Sequence, residues 1–159
     1  MHSGPVIIGF DGTPAAERAL RESASLLAPR PAVVVVVWEA GRAFETLTLP
    51  TRAFETPVSM DIGAAFEAER AAYESAERLA EQGAALAAEL GYQAEGLAVA
   101  DEATVPDTLL RIATERDSQA LVLGSHGHRG LTAALLGTTT KAVVEHAPCP
   151  VVVVRGDTG

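Results

Sequence analysis

The chain has 159 residues, enough for one domain with a sizeable core. Its formal net charge is −9, from 12 Lys and Arg and 21 Asp and Glu residues, which argues against a broad basic surface and against nucleic acid as a partner. The single cysteine, Cys149, excludes an internal disulfide and a thiolate metal cluster, which fits a reducing interior.

The first third of the chain has the pattern of a strand, a helix and a second strand. Pro5–Phe10 is apolar and β-branched, and Asp11–Pro14 ends it with turn residues, a capping hydroxyl and a proline suited to the first helical position. Apolar residues at helical spacing then continue to Leu27, before the prolines at 29 and 31. Ala32–Trp38 contains five consecutive valines, a run typical of a parallel strand that is covered on both faces.

The middle of the chain combines an irregular segment with a long helix. Residues 39–62 lack periodicity and form either a lid or an insertion. A helix is predicted from about Gly63 to Leu90, and strand three follows over Gln93–Ala100. The apolar face predicted for this helix consists of Phe66, Tyr73, Ala76, Leu79, Gly83, Leu86 and Leu90.

The last third continues the alternation of helices and strands. Thr104–Pro106 begins a third helix, Gln119–Gly124 is the fourth strand, a helix begins near Thr138, and Val151–Val154 is the final strand. Five strands that alternate with four helices predict an α/β fold with a doubly wound, open parallel sheet and helices on both faces. Such sheets bind ligands beyond the carboxyl ends of their strands, where Asp11, Val37 and Gly124 are expected.

Neither a targeting signal nor a membrane helix is predicted. Residues 1–5 lack a basic segment, and runs such as Val33–Trp38 are far shorter than the roughly 20 apolar residues that span a bilayer. We therefore expect a single domain over residues 1–159, located in the cytoplasm and without a membrane partner.

The strongest chemical signal is a glycine pattern after the fourth strand. Gly124-Ser125-His126-Gly127 is followed by nine residues, 128–136, and then by Gly137-Thr138 at the start of a helix. Glycines let the backbone approach an anion, and a helix N-terminus attracts one, so this pattern predicts a phosphate cradle. Arg129 could pair with phosphate, and Thr138 and Thr139 could cap the helix, bond phosphate oxygens, or do both.

Asp11 has two interpretations of equal weight. At the end of strand one its carboxylate could bond a ribose hydroxyl or hold a divalent cation beside phosphates. Alternatively, Asp-Gly-Thr-Pro is ordinary turn chemistry, in which the carboxylate forms an Asx-turn or caps the next helix.

Other chemistries fit the sequence poorly. The P-loop pattern with its lysine is absent, and so is the Gly-x-Gly-x-x-Gly pattern of dinucleotide-binding enzymes. Ser125 and His126 are adjacent and lack the strand-elbow motif of serine hydrolases, and the four histidines lack the spacing of zinc ligands. Binding of a ligand is therefore favoured over turnover.

Three segments together resemble the universal stress protein family over essentially the whole chain. They are Val-Ile-Ile-Gly-Phe-Asp-Gly-Thr at 6–13, the glycine pattern from Gly124 to Thr138, and His-Ala-Pro-Cys-Pro-Val-Val-Val-Val at 146–154. The resemblance implies an adenine-nucleotide α-hydrolase-like fold with strand order 3-2-1-4-5. It also implies an ATP-binding member, because the glycine pattern marks the members of that family that bind ATP.

Carried over residue by residue, the resemblance implies a complete nucleotide site. Asp11 would meet the ribose or a metal ion, Mg²⁺ or Mn²⁺, and the backbone near Val37 would border the adenine of ATP, ADP or AMP. Ribose and phosphates would be held by Gly124, Gly127, Gly137, Thr138 and Thr139. Family members usually dimerise, often through the final strand. Val151–Val154 is a suitable edge because an unpaired apolar strand exposes backbone groups that a second copy can satisfy.

One departure from the family pattern keeps an alternative open. Many members have Gly-x-Pro before the third helix, whereas Ala103-Thr104-Val105-Pro106 stands here. The leading hypothesis is a stress-response regulator that binds ATP or another adenine nucleotide and needs at most slow ATP hydrolysis. The alternative is a dimeric interaction protein of the same fold that binds none. An adenylating or sulfur-transfer enzyme is disfavoured, because its Ser-Gly-Gly-x-Asp-Ser loop is absent.

Overall fold

The computed structural model describes residues 1–41, 43–44, 62–101, 103–125 and 137–156. Five strands form one parallel sheet: β1 (Gly4–Gly9), β2 (Pro31–Trp38), β3 (Gln93–Ala100), β4 (Ser118–Gly124) and β5 (Val151–Val154). The sheet packs against four helices of the described part: α1 (Pro14–Leu27), α2 (Ile62–Glu89), α3 (Val105–Glu115) and α4 (Thr138–His146). The strand order β3-β2-β1-β4-β5 confirms the predicted doubly wound sheet.

The valine run of β2 is buried because helices cover both faces of the sheet. Val34 and Val36 belong to a core cluster with residues of α1 and α2. Val33 and Val35 belong to a second cluster with residues of α3 and α4. Successive side chains of a strand point to opposite faces, so a strand in this position needs an apolar residue at every place.

The predicted apolar face of α2 is correct in its second half and wrong in its first. Ala76 and Gly83 are buried, and a Cβ atom on Gly83 would lie 2.7 Å from Val34 Cγ1, so the glycine lets the helix approach β2 closely. Phe66 and Tyr73 are instead 62% and 40% exposed. The ring of Tyr73 packs on that of Trp38, the last residue of β2, with centroids 5.8 Å apart and planes tilted by 56°. The turns of α2 before Tyr73 therefore begin near the carboxyl end of β2.

The segment interpreted as a lid or an insertion, 39–62, lies largely outside the described residues. Its described part includes Phe44, whose ring packs edge-to-face on Phe66 at a centroid distance of 5.0 Å. Among the helices that the structure describes, none combines the length and the apolar character needed to cross a membrane.

Candidate functional site

The carboxyl end of β2 extends past the end of β1. Their last paired residues are Gly9 and Val35, and the Phe10 N–H donates to the Val35 carbonyl at 2.9 Å. Backbone groups of alternate residues in a strand point to the same side, so the N–H and C=O of Val37 also face the β1 side, where β1 has already ended. Val37 therefore presents a donor and an acceptor at this edge, while the Trp38 carbonyl accepts from the Asp101 N–H on the β3 side at 2.9 Å.

A pocket of about 460 Å³ lies at this end of the sheet. One part of its lining is apolar and comes from β2, β4 and α3: Val35, Val37, Val105, Leu109 and Leu123. The polar part comes from the turn after β1, the end of β4 and the start of α4: Asp11, Thr13, Ser125, Thr138, Thr139 and Thr140. Such a lining suits a ligand with an aromatic body and a polar tail.

The start of α4 faces this pocket, and no side chain of the described residues caps it. Its N-cap is Gly137, which forms no side-chain capping bond, and the first intrahelical bond runs from the Lys141 N–H to the Gly137 carbonyl at 2.9 Å. The interpretation of Thr138 and Thr139 as caps is therefore wrong, because both lie inside the helix. An uncapped N-terminus carries backbone donors and the positive end of the helix dipole, which together favour an anion.

Two other helices begin near the same pocket, and threonine side chains cap both. Thr13 accepts from the Ala16 N–H at 3.2 Å at the start of α1, and Thr104 accepts from the Asp107 N–H at 3.2 Å at the start of α3. Among these three helix N-termini, the one at Gly137 is the one without a side-chain cap from the described residues.

The glycines that the structure describes in the cradle have packing reasons of their own. A Cβ atom on Gly124 would lie 3.0 Å from the Ala15 carbonyl oxygen, and one on Gly137 would lie 3.3 Å from the Ser125 carbonyl oxygen. The Gly137 N–H donates to that same oxygen at 3.2 Å. Gly124 lets the end of β4 lie close to α1, and Gly137 lets the start of α4 lie close to the end of β4. This close packing forms one edge of the pocket.

Asp11 forms the Asx-turn that was one of its two interpretations. Its Oδ1 accepts from the Thr13 N–H at 3.0 Å and from the Thr13 hydroxyl at 2.5 Å. The residue is exposed and lines the pocket, and no partner for Oδ2 is recorded among the described residues. The local role is therefore confirmed, while contact with a ribose or a metal ion stays a prediction.

The remaining predicted contacts divide into two groups. Val37, Gly124, Gly137, Thr138 and Thr139 all line the pocket with Asp11. Gly127 and Arg129, together with His126 and His128, lie outside the described residues.

A metal ion fits this pocket only together with a ligand. Asp11 is the single carboxylate in the described lining, and the described residues hold no group of three or more His, Cys, Asp or Glu that could bind a metal. Mg²⁺ commonly binds one or two carboxylates together with substrate phosphates and waters, and that mode needs no more than Asp11 from the protein.

Several lining residues escaped the sequence interpretation. Ser125 was part of the predicted cradle but was given no ligand contact, and Leu109 was considered only as part of a helix. The departure from Gly-x-Pro is accommodated locally, since Thr104 caps α3, Pro106 follows in its first turn and Val105 lines the pocket. The position of Val105 in the sequence could have predicted its place in the lining, because residues at the start of a crossover helix lie near the carboxyl ends of parallel strands.

Solved structures with the same fold include universal stress proteins from three organisms. That from Lactobacillus plantarum has a TM-score of 0.62 and 21% identity, with 98% of this chain and 99% of that chain covered. A second, from Archaeoglobus fulgidus in complex with dAMP, has a TM-score of 0.63 and 18% identity, with coverage of 96% and 98%. A third, from Arabidopsis thaliana with AMP bound, has a TM-score of 0.60 and 16% identity, with coverage of 98% and 94%.

These likenesses show a shared fold at low identity. A search among curated proteins finds no matching sequence. The family model described as the universal stress protein family matches residues 3–155, nearly the whole chain. The chain therefore belongs to the universal stress protein family.

Proposed function

We propose that the protein binds an adenine nucleotide, ATP or its products ADP and AMP, in the pocket at the carboxyl ends of β1, β2 and β4. The observation that carries this proposal is the position of the uncapped N-terminus of α4 at the polar end of a pocket whose other end is apolar. Adenine nucleotides have this same division between a flat base and an anionic tail. The relatives solved with dAMP and with AMP bound support this ligand class.

The apolar part of the pocket suits the base. Val105, Leu109 and Leu123 would remove the faces of the ring from water. The N–H and C=O of Val37 form a donor and acceptor pair at the same edge. Adenine carries an amino donor beside ring-nitrogen acceptors, so this backbone pair can select it without a polar side chain.

The polar part suits ribose and phosphates. The N–H groups of Thr138 and Thr139 and the dipole of α4 would hold phosphate oxygens, with Gly124, Gly127 and Arg129 as further proposed contacts. Asp11 would bond the ribose, or would hold Mg²⁺ or Mn²⁺ against the phosphates, where the cation supplies neutralising charge. Asp11 is the one ionisable side chain in the described lining, so the proposal is binding rather than catalysis.

A pocket-filling variant tests the proposal. Val105→Trp would place an indole in the apolar part of the pocket, and we expect it to abolish binding of ATP in isothermal titration. Val105 is only half-buried and lies at the first turn of α3, so the fold should tolerate the change. The matched control is Val144→Trp on α4, which is 47% exposed and outside the lining.

Two outcomes would count against nucleotide binding. Wild-type protein that binds neither ATP, ADP nor AMP would favour the alternative, a dimeric interaction protein of the same fold. Equal ATP affinity in folded Val105→Trp and in the control would move the ligand to another part of the molecule.

Family membership also supports the proposal of a stress-response role exercised by a homodimer. β5 is an edge strand with Val151, Val152 and Val153 only partly buried. The Leu121 N–H donates to the Pro150 carbonyl, and the Ser125 N–H donates to the Val154 carbonyl. Even-numbered residues of β5 therefore face β4, and the backbone groups of Val151 and Val153 face outward, available to a second copy.

The dimer has its own test in sedimentation velocity. Val153→Pro removes one outward N–H without removing a bond to β4, and we expect the protein to become a monomer. A dimer that persists in this variant would exclude pairing through β5.

A further inference from the structure

Ser125 lies where three parts of the molecule meet. It directly follows β4, is 4% exposed and lines the pocket. Its N–H donates to the Val154 carbonyl at 2.9 Å, and its carbonyl accepts from the Gly137 N–H at 3.2 Å. The backbone of this one residue thus connects the pocket, the end of β5 and the start of α4.

The side chain of Ser125 has one partner within the described residues. Its Oγ accepts from the N–H of Gly156, two residues beyond β5, at 3.3 Å. A hydroxyl also carries a proton to donate, and no acceptor for it is recorded in the described part of the chain. A buried donor is stabilised by an acceptor, and a molecule that fills the pocket can supply one.

We propose that the Ser125 hydroxyl couples the occupant of the pocket to the end of β5. In the bound state the hydroxyl donates to an oxygen of the nucleotide, while its oxygen continues to accept from the Gly156 N–H. Hydrogen bonds in a chain polarise and strengthen one another, so donation to an anionic oxygen makes Oγ a better acceptor for Gly156. This inference rests on the nucleotide site proposed above and adds a regulatory output to it.

The coupling must act in both directions. If a nucleotide strengthens the bond between Gly156 and Ser125, then that bond strengthens nucleotide binding by the same factor. Because β5 is the proposed dimer edge, a filled pocket would order the end of the strand that a second copy meets. Ser125 is then a ligand contact that also positions the residues after β5.

Three substitutions separate the two roles of the hydroxyl. Ser125→Ala removes both bonds, and its folding cost is small because the exposed Gly156 N–H can bond water instead. Gly156→Pro removes only the N–H donor. Gly156→Ala is the matched control, since it keeps the donor and a Cβ atom there meets nothing within 4 Å.

Affinity for ATP is measured first, by isothermal titration of the full chain. We expect Ser125→Ala to weaken ATP binding about tenfold to a hundredfold, as for a lost hydrogen bond to a charged oxygen. Gly156→Pro should weaken it by the coupling factor, about fivefold or more, and Gly156→Ala should not. In the double variant Ser125→Ala with Gly156→Pro, the second change should have no further effect.

Amide hydrogen exchange at Gly156, followed by NMR, reports the coupling directly. We expect saturating ATP to slow this exchange in the wild type by the same factor that Gly156→Pro costs in affinity, and to leave it unchanged in Ser125→Ala. Wild type that binds no nucleotide would overturn the proposed function and the coupling with it. Wild type that binds ATP with unchanged exchange at Gly156, or with full affinity in Gly156→Pro, would overturn the coupling alone.

Discussion

Substitution of Asp11 separates its turn from its proposed ligand contact. The turn needs only Oδ1, which accepts from the N–H and the hydroxyl of Thr13 at 3.0 and 2.5 Å. Asp11→Asn keeps an oxygen at that position and removes the negative charge. Asp11→Ala removes both the oxygen and the charge.

The expected magnitudes differ between stability and binding. Asp11→Ala loses two solvent-exposed hydrogen bonds, and we expect the free energy of unfolding without nucleotide to fall by about 1 kcal/mol. Asp11→Asn should change it by less than about 0.5 kcal/mol. Both variants lose a charged contact to the ligand worth about 1.5–3 kcal/mol, so ATP affinity with Mg²⁺ should fall about tenfold to a hundredfold in each.

Urea unfolding and isothermal titration measure the two quantities on the same preparations. Titration with ATP in Mg²⁺ and in EDTA distinguishes the two proposed partners of the Asp11 carboxylate, the metal ion and the ribose. A contact through the metal predicts that wild type and Asp11→Asn bind ATP equally in EDTA, whereas a contact with ribose predicts the same difference in both buffers. Wild-type affinity in Asp11→Asn under both conditions would refute the ligand role and leave Asp11 as a turn residue.

The remaining predictions concern stability. Gly83→Ala should lower the free energy of unfolding by about 1 kcal/mol. Overpacking against Val34 costs about 1–3 kcal/mol, and the better helix propensity of alanine offsets only about 1 kcal/mol of it. A variant that is more stable than wild type in urea unfolding would contradict the close approach of α2 to β2. The hydrogen bond with His2, and then that from the Ser3 N–H, lower the pKa of Asp117 from its ordinary 3.8. A carboxyl whose pKa is lower in the folded state stabilises the protein at pH values above its pKa in the unfolded state. That stabilisation is lost as the pH falls through its pKa in the folded state. Asp117→Asn tolerates the φ of 48° at this position and should destabilise the protein near neutral pH but not well below pH 3.8; an equal effect at both pH values would exclude the carboxylate as the cause.

Much of the fold followed from local patterns in the sequence. The uninterrupted valines of β2 indicated a strand buried on both faces, and the turn at Asp11–Pro14 indicated where β1 ends and α1 begins. These predictions succeeded because side-chain periodicity and turn chemistry act over a few residues and need no knowledge of distant parts of the chain. The first half of α2 is the counterexample, because helical spacing alone could not tell that Phe66 is exposed and packs on Phe44 rather than in the core.

The sequence by itself determined the alternation of strands and helices, and with it the end of the sheet where a ligand site belongs. Only the tertiary structure decided how the predicted site residues are arranged, and it added Val105 and Leu109 to the lining of the pocket. β2 extends past β1, so the N–H and C=O of Val37 have no β1 partner, and within the described part of the chain no side chain caps α4 beside the end of β4. Ser125 meets Gly156 only because β5 pairs with β4, which brings residues 31 positions apart within hydrogen-bond distance. Such contacts depend on where strands stop relative to one another and on how crossovers pack, and local periodicity carries no information about either.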